Sequence, residues 1–277
     1  MKCAVFVALF VSGNFMAQSF RISSTAKKVV SLHVGTSFNR FLPSTFSMKG
    51  NYFDVSFKKA QFGALNEKWT IAQYFSSPMK LGIGFNPRKN LQFMVGLDNF
   101  KYHMLPQVLT VSGSVYPSYD NVGGLSGTYS DTRISMDTIG FGVQFHNVRF
   151  ISLQLNRFSP LVHFKNYTFA SVATYGVEFG TLFSDYTLNF GSAFQERLSS
   201  LSGIGSALQC GIRLEFFGKF YLLPSISGGF LMHKNLRMDV TEASQKAQQN
   251  LWFGQASISV GTTFFPGKKK NCDCPYF

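Results

Sequence analysis

What this sequence lacks narrows it first. No run of eighteen or more apolar residues follows the N-terminal leader, so crossing a membrane by α-helices is excluded by length. Charged residues make up only 14% of the 277 positions, against roughly a quarter in an average soluble domain. The surface is therefore under-charged for a water-soluble protein. Tryptophan occurs twice and cysteine four times. Cys3 lies in the leader, so the cysteines do not amount to a disulfide framework. Cys272 and Cys274 are two thiols one residue apart with no histidine nearby, short of the four ligands of a structural zinc site. There is no nucleotide loop, no metalloprotease HExxH and no calcium loop. No cofactor and no metal site are expected.

What is present is phenylalanine, 32 of them, within an aromatic content of 16% and a net charge of +13. Mean hydropathy is close to zero, +0.06. The apolar residues alternate with small or polar ones. From Thr138 to Leu155 the sequence reads TIGFGVQFHNVRFISLQL, with Ile139, Phe141, Val143 and Phe145 on one face of a strand and Gly140, Gly142 and Gln144 on the other. Ile151, Leu153 and Leu155 then oppose Ser152, Gln154 and Asn156. This reads as a hairpin turning at His146-Asn147. One face is bulky and the other carries Gly, Thr, Gln and Asn, hairpin after hairpin, which is the pattern of lipid outside and water inside. A closed barrel is the remaining way to span a bilayer.

The rest of the chain repeats the pattern. Strands are expected at 30–38, 53–58, 67–76, 81–85, 91–98, 176–180, 186–191, 208–215, 220–226 and 252–264, with a bulge or break at Pro224, which cannot donate to a ladder. Short turns at 86–90, 146–147, 183–184 and 217–218 fall on one side, and long loops at 103–133, 159–167, 195–204 and 234–250 on the other. That parity gives a closed antiparallel transmembrane β-barrel of about twelve strands, with ten as the next choice, since single-chain barrels have an even number. Lys2, the apolar CAVFVALFV and Ala17 make residues 1–17 an export leader. Residues 18–266 form the barrel, and 267–277, with Lys268 to Lys270, a basic periplasmic tail. Phe277 is similar to the terminal aromatic of many outer-membrane barrels but does not continue the last strand's alternation.

Charges and amides on the polar face are assigned to the lumen: Asp98, Gln144, Gln154, Asn156, Glu178, Asn189, Gln209, Arg213 and Glu215. A charge facing lipid would cost a few kcal/mol near the midplane. In a narrow barrel these groups reach one another, so a hydrogen-bonded plug competes with an open pore. An outer-membrane lipid A or phospholipid hydrolase would need a serine and a histidine together, oriented by an acid. His103, Asp98 and Ser112 are the candidates, although nothing in their spacing requires them to meet. The basic balance suits outer-membrane lipid and the phosphates of lipopolysaccharide rather than nucleic acid.

The run NLQFMVGLDNFKYHM resembles a strand end of Bacteroidota outer-membrane barrel proteins, a Gly-x-Asp-His-Met-Lys-Tyr sequence. Gly96, Asp98, Lys101 and Tyr102 match it, while Asn99 and Phe100 depart from the His-Met pair. The resemblance implies location in the bacterial outer membrane and a barrel fold, not a reaction. The expectation is a non-enzymatic barrel acting as a solute conduit or as an accessory subunit of an envelope complex, with the hydrolase as the alternative.

Overall fold

A computed structural model of the chain describes residues 25–64, 79–116, 126–136, 140–163, 169–190, 197–217, 219–238, 244–264 and 266. The leader expected over 1–17, the strand expected over 67–76 and the basic tail expected over 267–277 lie outside the described residues. Among the described residues thirteen antiparallel strands form one sheet. They are β1 Val30–Phe41, β2 Ser44–Lys49, β3 Phe53–Ala60, β4 Phe62–Ala64, β5 Met79–Arg88, β6 Leu91–Met104, β7 Val108–Val115, β8 Gly127–Ser135, β9 Phe141–His163, β10 Phe169–Phe190, β11 Arg197–Phe216, β12 Phe220–Arg237 and β13 Lys246–Phe264.

The sheet closes on itself. β1 pairs with β5 on one side and with β13 on the other, and the order β1-β5-β6-β9-β10-β11-β12-β13 returns to β1. Eight strands form this ring, which corrects the expected twelve or ten. Two of the four expected turns are the interiors of long strands. His146-Asn147 lies within β9, 23 residues long, and 183–184 lies within β10, 22 residues long. The real short turns, Lys89-Asn90 and 217–219, sit at the end that also holds Val30 and Phe264. Asn90 and Phe217 take positive φ there, 62° and 53°, which lets the chain reverse tightly. The loop expected at 159–167 opposite the short turns falls instead at the turn end, because β9 runs past the Leu91–Arg157 pair to His163, which faces Ala170. The loops expected at 195–204 and 234–250 shrink, because β11 begins at Arg197 and β12 and β13 extend to Arg237 and from Lys246. At Leu223-Pro224 the pairing to β11 lapses while that to β13 continues, so the break expected at the proline is there.

His146 is a β-bulge. Asp185 faces Asn147 and Tyr186 faces Phe145, leaving His146 unpaired. An extra residue on one strand shifts its alternation by one. Phe141, Val143 and Phe145 are buried on one side of the bulge, and Val148, Phe150, Ser152, Gln154 and Asn156 on the other. Toward the turn end the barrel is thus apolar outside and polar inside. Phe93, Val95, Leu153, Val177, Phe179, Leu208, Ile226 and Val260 are exposed, while Ser31, Gln92, Asp98, Gln154, Glu178, Arg213 and Ser259 are buried. Toward the loop end the order inverts, with a buried cluster that includes Phe46, Phe57, Phe100, Tyr102, Phe141, Phe145, Tyr186 and Leu231. Beyond the ring, β2, β3, β7 and β8 extend the sheet from the β13 edge.

Candidate functional site in the barrel interior

The inward residues come from alternate positions of neighbouring strands, and glycine makes the room they need. A Cβ on Gly82 would strike the His33 ring, and one on Gly96 would strike the Gln154 amide. In the space so left, three polar groups interlock. Lys80 Nζ lies 3.3 Å from Asp98 Oδ2 and 3.6 Å from Glu178 Oε1, with all three side chains at most 5% exposed. Gln209 Nε2 donates to Asn156 Oδ1 at 2.6 Å and to Gln154 Oε1 at 3.2 Å. Arg213 Nε lies 2.9 Å from Glu215 Oε1, and its guanidinium stacks 3.6 Å over the Tyr221 ring. Such a stack suits a planar, weakly hydrated cation.

Above this polar layer stands a second network. His233 accepts or donates to Tyr102 Oη at 3.0 Å through Nε2 and meets Ser202 Oγ at 2.9 Å through Nδ1. Ser184 Oγ joins Ser202 Oγ at 2.7 Å. Ser202 is itself a bulged residue, since Leu182 faces Gly203 and Phe183 faces Leu201. Rings then close the bore: Tyr102 stacks on Phe145 at 4.4 Å, and Phe57 on Phe141 at 4.1 Å. A cavity of about 20 Å³ borders His33, Lys80, Asn156, Gln209, Arg213 and Tyr221. It has room for about one water.

The expected lumen residues fall in two groups. Asp98, Gln154, Asn156, Glu178, Arg213 and Glu215 are buried on the inward face, and Gln209 reaches into it. Gln144 and Asn189 do not. Gln144 stands between buried Val143 and Phe145, and Asn189 is exposed beside buried Leu188. Both lie on the loop side, where the outer surface is polar. The hydrolase candidates are not brought together. Asp98 faces inward against Lys80, whereas His103 alternates with inward Tyr102 and Met104 and so faces outward. Ser112 donates to Asp131 Oδ1 at 2.6 Å beside the Lys58 ammonium, and these two donors hold the exposed Asp131 carboxyl below its ordinary range. Sequence reasoning missed Lys80, Tyr102 and His233. The signal for Lys80 was its phase, two residues before the inward Gly82.

A closed antiparallel ring whose outward residues are apolar toward the turn end, around a polar bore, can rest stably only in hydrocarbon. Aromatic pairs lie on the ring's strands toward both of its ends: Phe169 and Phe216 at 5.4 Å, Phe230 and Trp252 at 5.7 Å. The chain is an integral membrane β-barrel. No protein-family model matches the sequence, and no curated protein matches it. Solved structures to which the barrel is similar include the N-terminal β-barrel domain of Pseudomonas aeruginosa OprF, at 10% identity over 86% of this chain and 98% of that one, with a TM-score of 0.32. The Pseudomonas aeruginosa outer membrane protein OprG gives 10% identity, 87% and 98% coverage and a TM-score of 0.38. Ail, the attachment invasion locus protein of Yersinia pestis, gives 8%, 86%, 99% and 0.31. Likeness of this degree says nothing of substrate or partner.

Proposed function

We propose that this barrel is a non-enzymatic accessory subunit of an envelope assembly, sealed to solutes, whose β-structure beyond the membrane is the working surface. The observation that carries the reading is the filled bore. Lys80, Asp98, Glu178, Arg213 and Glu215 occupy the polar half, and Tyr102, Phe141 and Phe145 occupy the apolar half. The ordered sheet of β2, β3, β7 and β8 on the loop side offers a platform that a mere membrane plug would not need. An export leader over residues 1–17, and the Bacteroidota-like run from Gly96 to Tyr102, fit such a component of that phylum's envelope.

The test is conductance of the purified full-length barrel in planar bilayers. The expected record is silent at 100 mV in molar salt, with other envelope proteins co-purifying from mild detergent. Steady single-channel steps would overturn the sealed reading and restore the solute conduit. Release of acyl chains from outer-membrane lipids by the silent protein would overturn the non-enzymatic part in favour of a hydrolase.

A further inference from the structure

On β6 and β9 the outward side chains change character at the same register. Climbing β6 from the turn end they are Phe93, Val95 and Leu97, then Asn99 and Lys101. Climbing β9 they are Leu155, Leu153 and Ile151, then Arg149. Leu97 faces Ile151, and the next outward pair is Asn99 with Arg149. Lys101 stands between Phe100 and Tyr102, both fully buried, and Arg149 between Val148 and Phe150, likewise buried, so both cations project outward. The bulge adds one more polar group: Asn99 Nδ2 donates to Asn147 Oδ1 at 3.2 Å.

Among the described residues no salt bridge joins Lys101 or Arg149 to a carboxylate. The acid nearest in register, Asp185 opposite Asn147, is held by Arg197 Nε at 2.8 Å and accepts a hydrogen bond from the Asn147 side chain. Two unneutralised cations with an amide pair, directly above a wall of Val95, Leu97, Ile151 and Leu153, match one chemistry. A phosphate takes the guanidinium fork and the ammonium together, while acyl chains attached to it lie on the wall below.

We propose that Lys101 and Arg149, beside the Asn99–Asn147 pair, form a seat for the phosphate of an outer-leaflet lipid of the lipid A type. The end of the barrel decides the leaflet. The seat faces away from the short turns and from Val30 and Phe264, which belong to the periplasmic side in outer-membrane barrels. The outer leaflet's phosphates are those of lipopolysaccharide, and two cations on adjacent strands suit a headgroup with more than one phosphate. The inference rests on the membrane-spanning fold and not on the sealed bore, so a conducting barrel would leave it standing.

The test is native mass spectrometry of full-length protein taken from nanodiscs of phosphatidylcholine doped equally with lipid A or with phosphatidylglycerol. The wild type is expected to retain lipid A in preference to phosphatidylglycerol, with millimolar inorganic phosphate not displacing it. In K101Q/R149Q retention falls by about thirtyfold, as for the loss of two basic side chains at a charged surface. K101R/R149K restores most of it. R88Q/R157Q, which removes two cations at the turn end, leaves it unchanged. Equal retention by K101Q/R149Q or an equal fall in R88Q/R157Q would each overturn the seat. Equal retention of phosphatidylglycerol, or displacement of lipid A by free phosphate, would overturn the assignment of its source. Heat-modifiable migration on gels confirms that each variant is folded before its lipid is counted, and wild-type protein that inserts but carries no lipid A refutes the seat while sparing the fold.

Discussion

At the scale of single residues the most consequential side chain is Lys80. It stands between two carboxylates in a bore where all three side chains are at most 5% exposed. The attraction among them offsets a desolvation penalty of several kcal/mol per ion. Removing the ammonium therefore costs more than the pair's net worth, because it strands two carboxylates without a cation. Lys80→Met is expected to destabilise the barrel by about 3–5 kcal/mol, read from urea unfolding in bilayers. The triple variant K80M/D98N/E178Q, which removes the charges together, is expected to recover most of that loss. If Lys80→Met unfolds at the wild-type midpoint, the bore is wetter than the geometry implies and the ion cluster does not hold the strands together.

At the scale of elements the β9 bulge is the hinge of the design. Because His146 shifts the phase of one strand, Phe145 and Val148 both point inward, and one strand serves a polar bore below and an apolar core above. Deleting His146 would put either the Phe141–Phe145 segment or the Val148–Asn156 segment on the wrong face, since a slip of one residue exchanges the faces. The deletion is expected to abolish folding into liposomes, while His146→Ala, which keeps the extra residue, folds with a loss of about 1 kcal/mol or less. Normal folding of the deletion would mean that the phase is not set there. The same bulge limits what the sequence reveals. Alternation from Val30 to Phe38, Leu91 to Asp98 and Gln255 to Phe264 is legible because a half-buried strand has period two. The slip at His146-Asn147, however, looks the same in sequence whether the chain turns or bulges. Reading it as a turn, and placing another at 183–184 inside an unbroken strand, split β9 and β10 in two; with the strand expected at 53–58, which is β3 beyond the ring, and the one expected at 67–76, that raised the count from eight to about twelve. It also sent Gln144 and Asn189 to the lumen. Asp98, Glu178 and Arg213 were legible because they lie on the turn side of every such slip.

At the scale of the whole molecule, two halves of opposite polarity share one sheet, and this decides where the bilayer sits. Hydrocarbon must cover the turn-side belt, because Phe93, Leu153, Phe179 and Leu208 are more than half exposed there. It must stop short of the loop side, where apolar side chains already pack inside and further burial of polar groups would cost free energy. Trp252, 58% exposed beside Phe230, marks the upper part of that belt. The sequence has only one other tryptophan, Trp69, so Trp69→Phe leaves Trp252 as the sole reporter. Its fluorescence is expected to be quenched by lipids brominated along the acyl chain, most strongly by bromines near the headgroup. In W69F/W252F/L153W, whose reporter sits lower on β9, the strongest quenching is expected to shift to deeper bromines. A soluble fold would bury these same side chains between layers, and no brominated lipid would reach either reporter. Quenching at Trp252 without quenching at position 153 would place the bilayer on the loop half and reverse the polarity assigned to the two ends. The ordering of the two depths therefore tests span and orientation together, independently of whether the bore conducts.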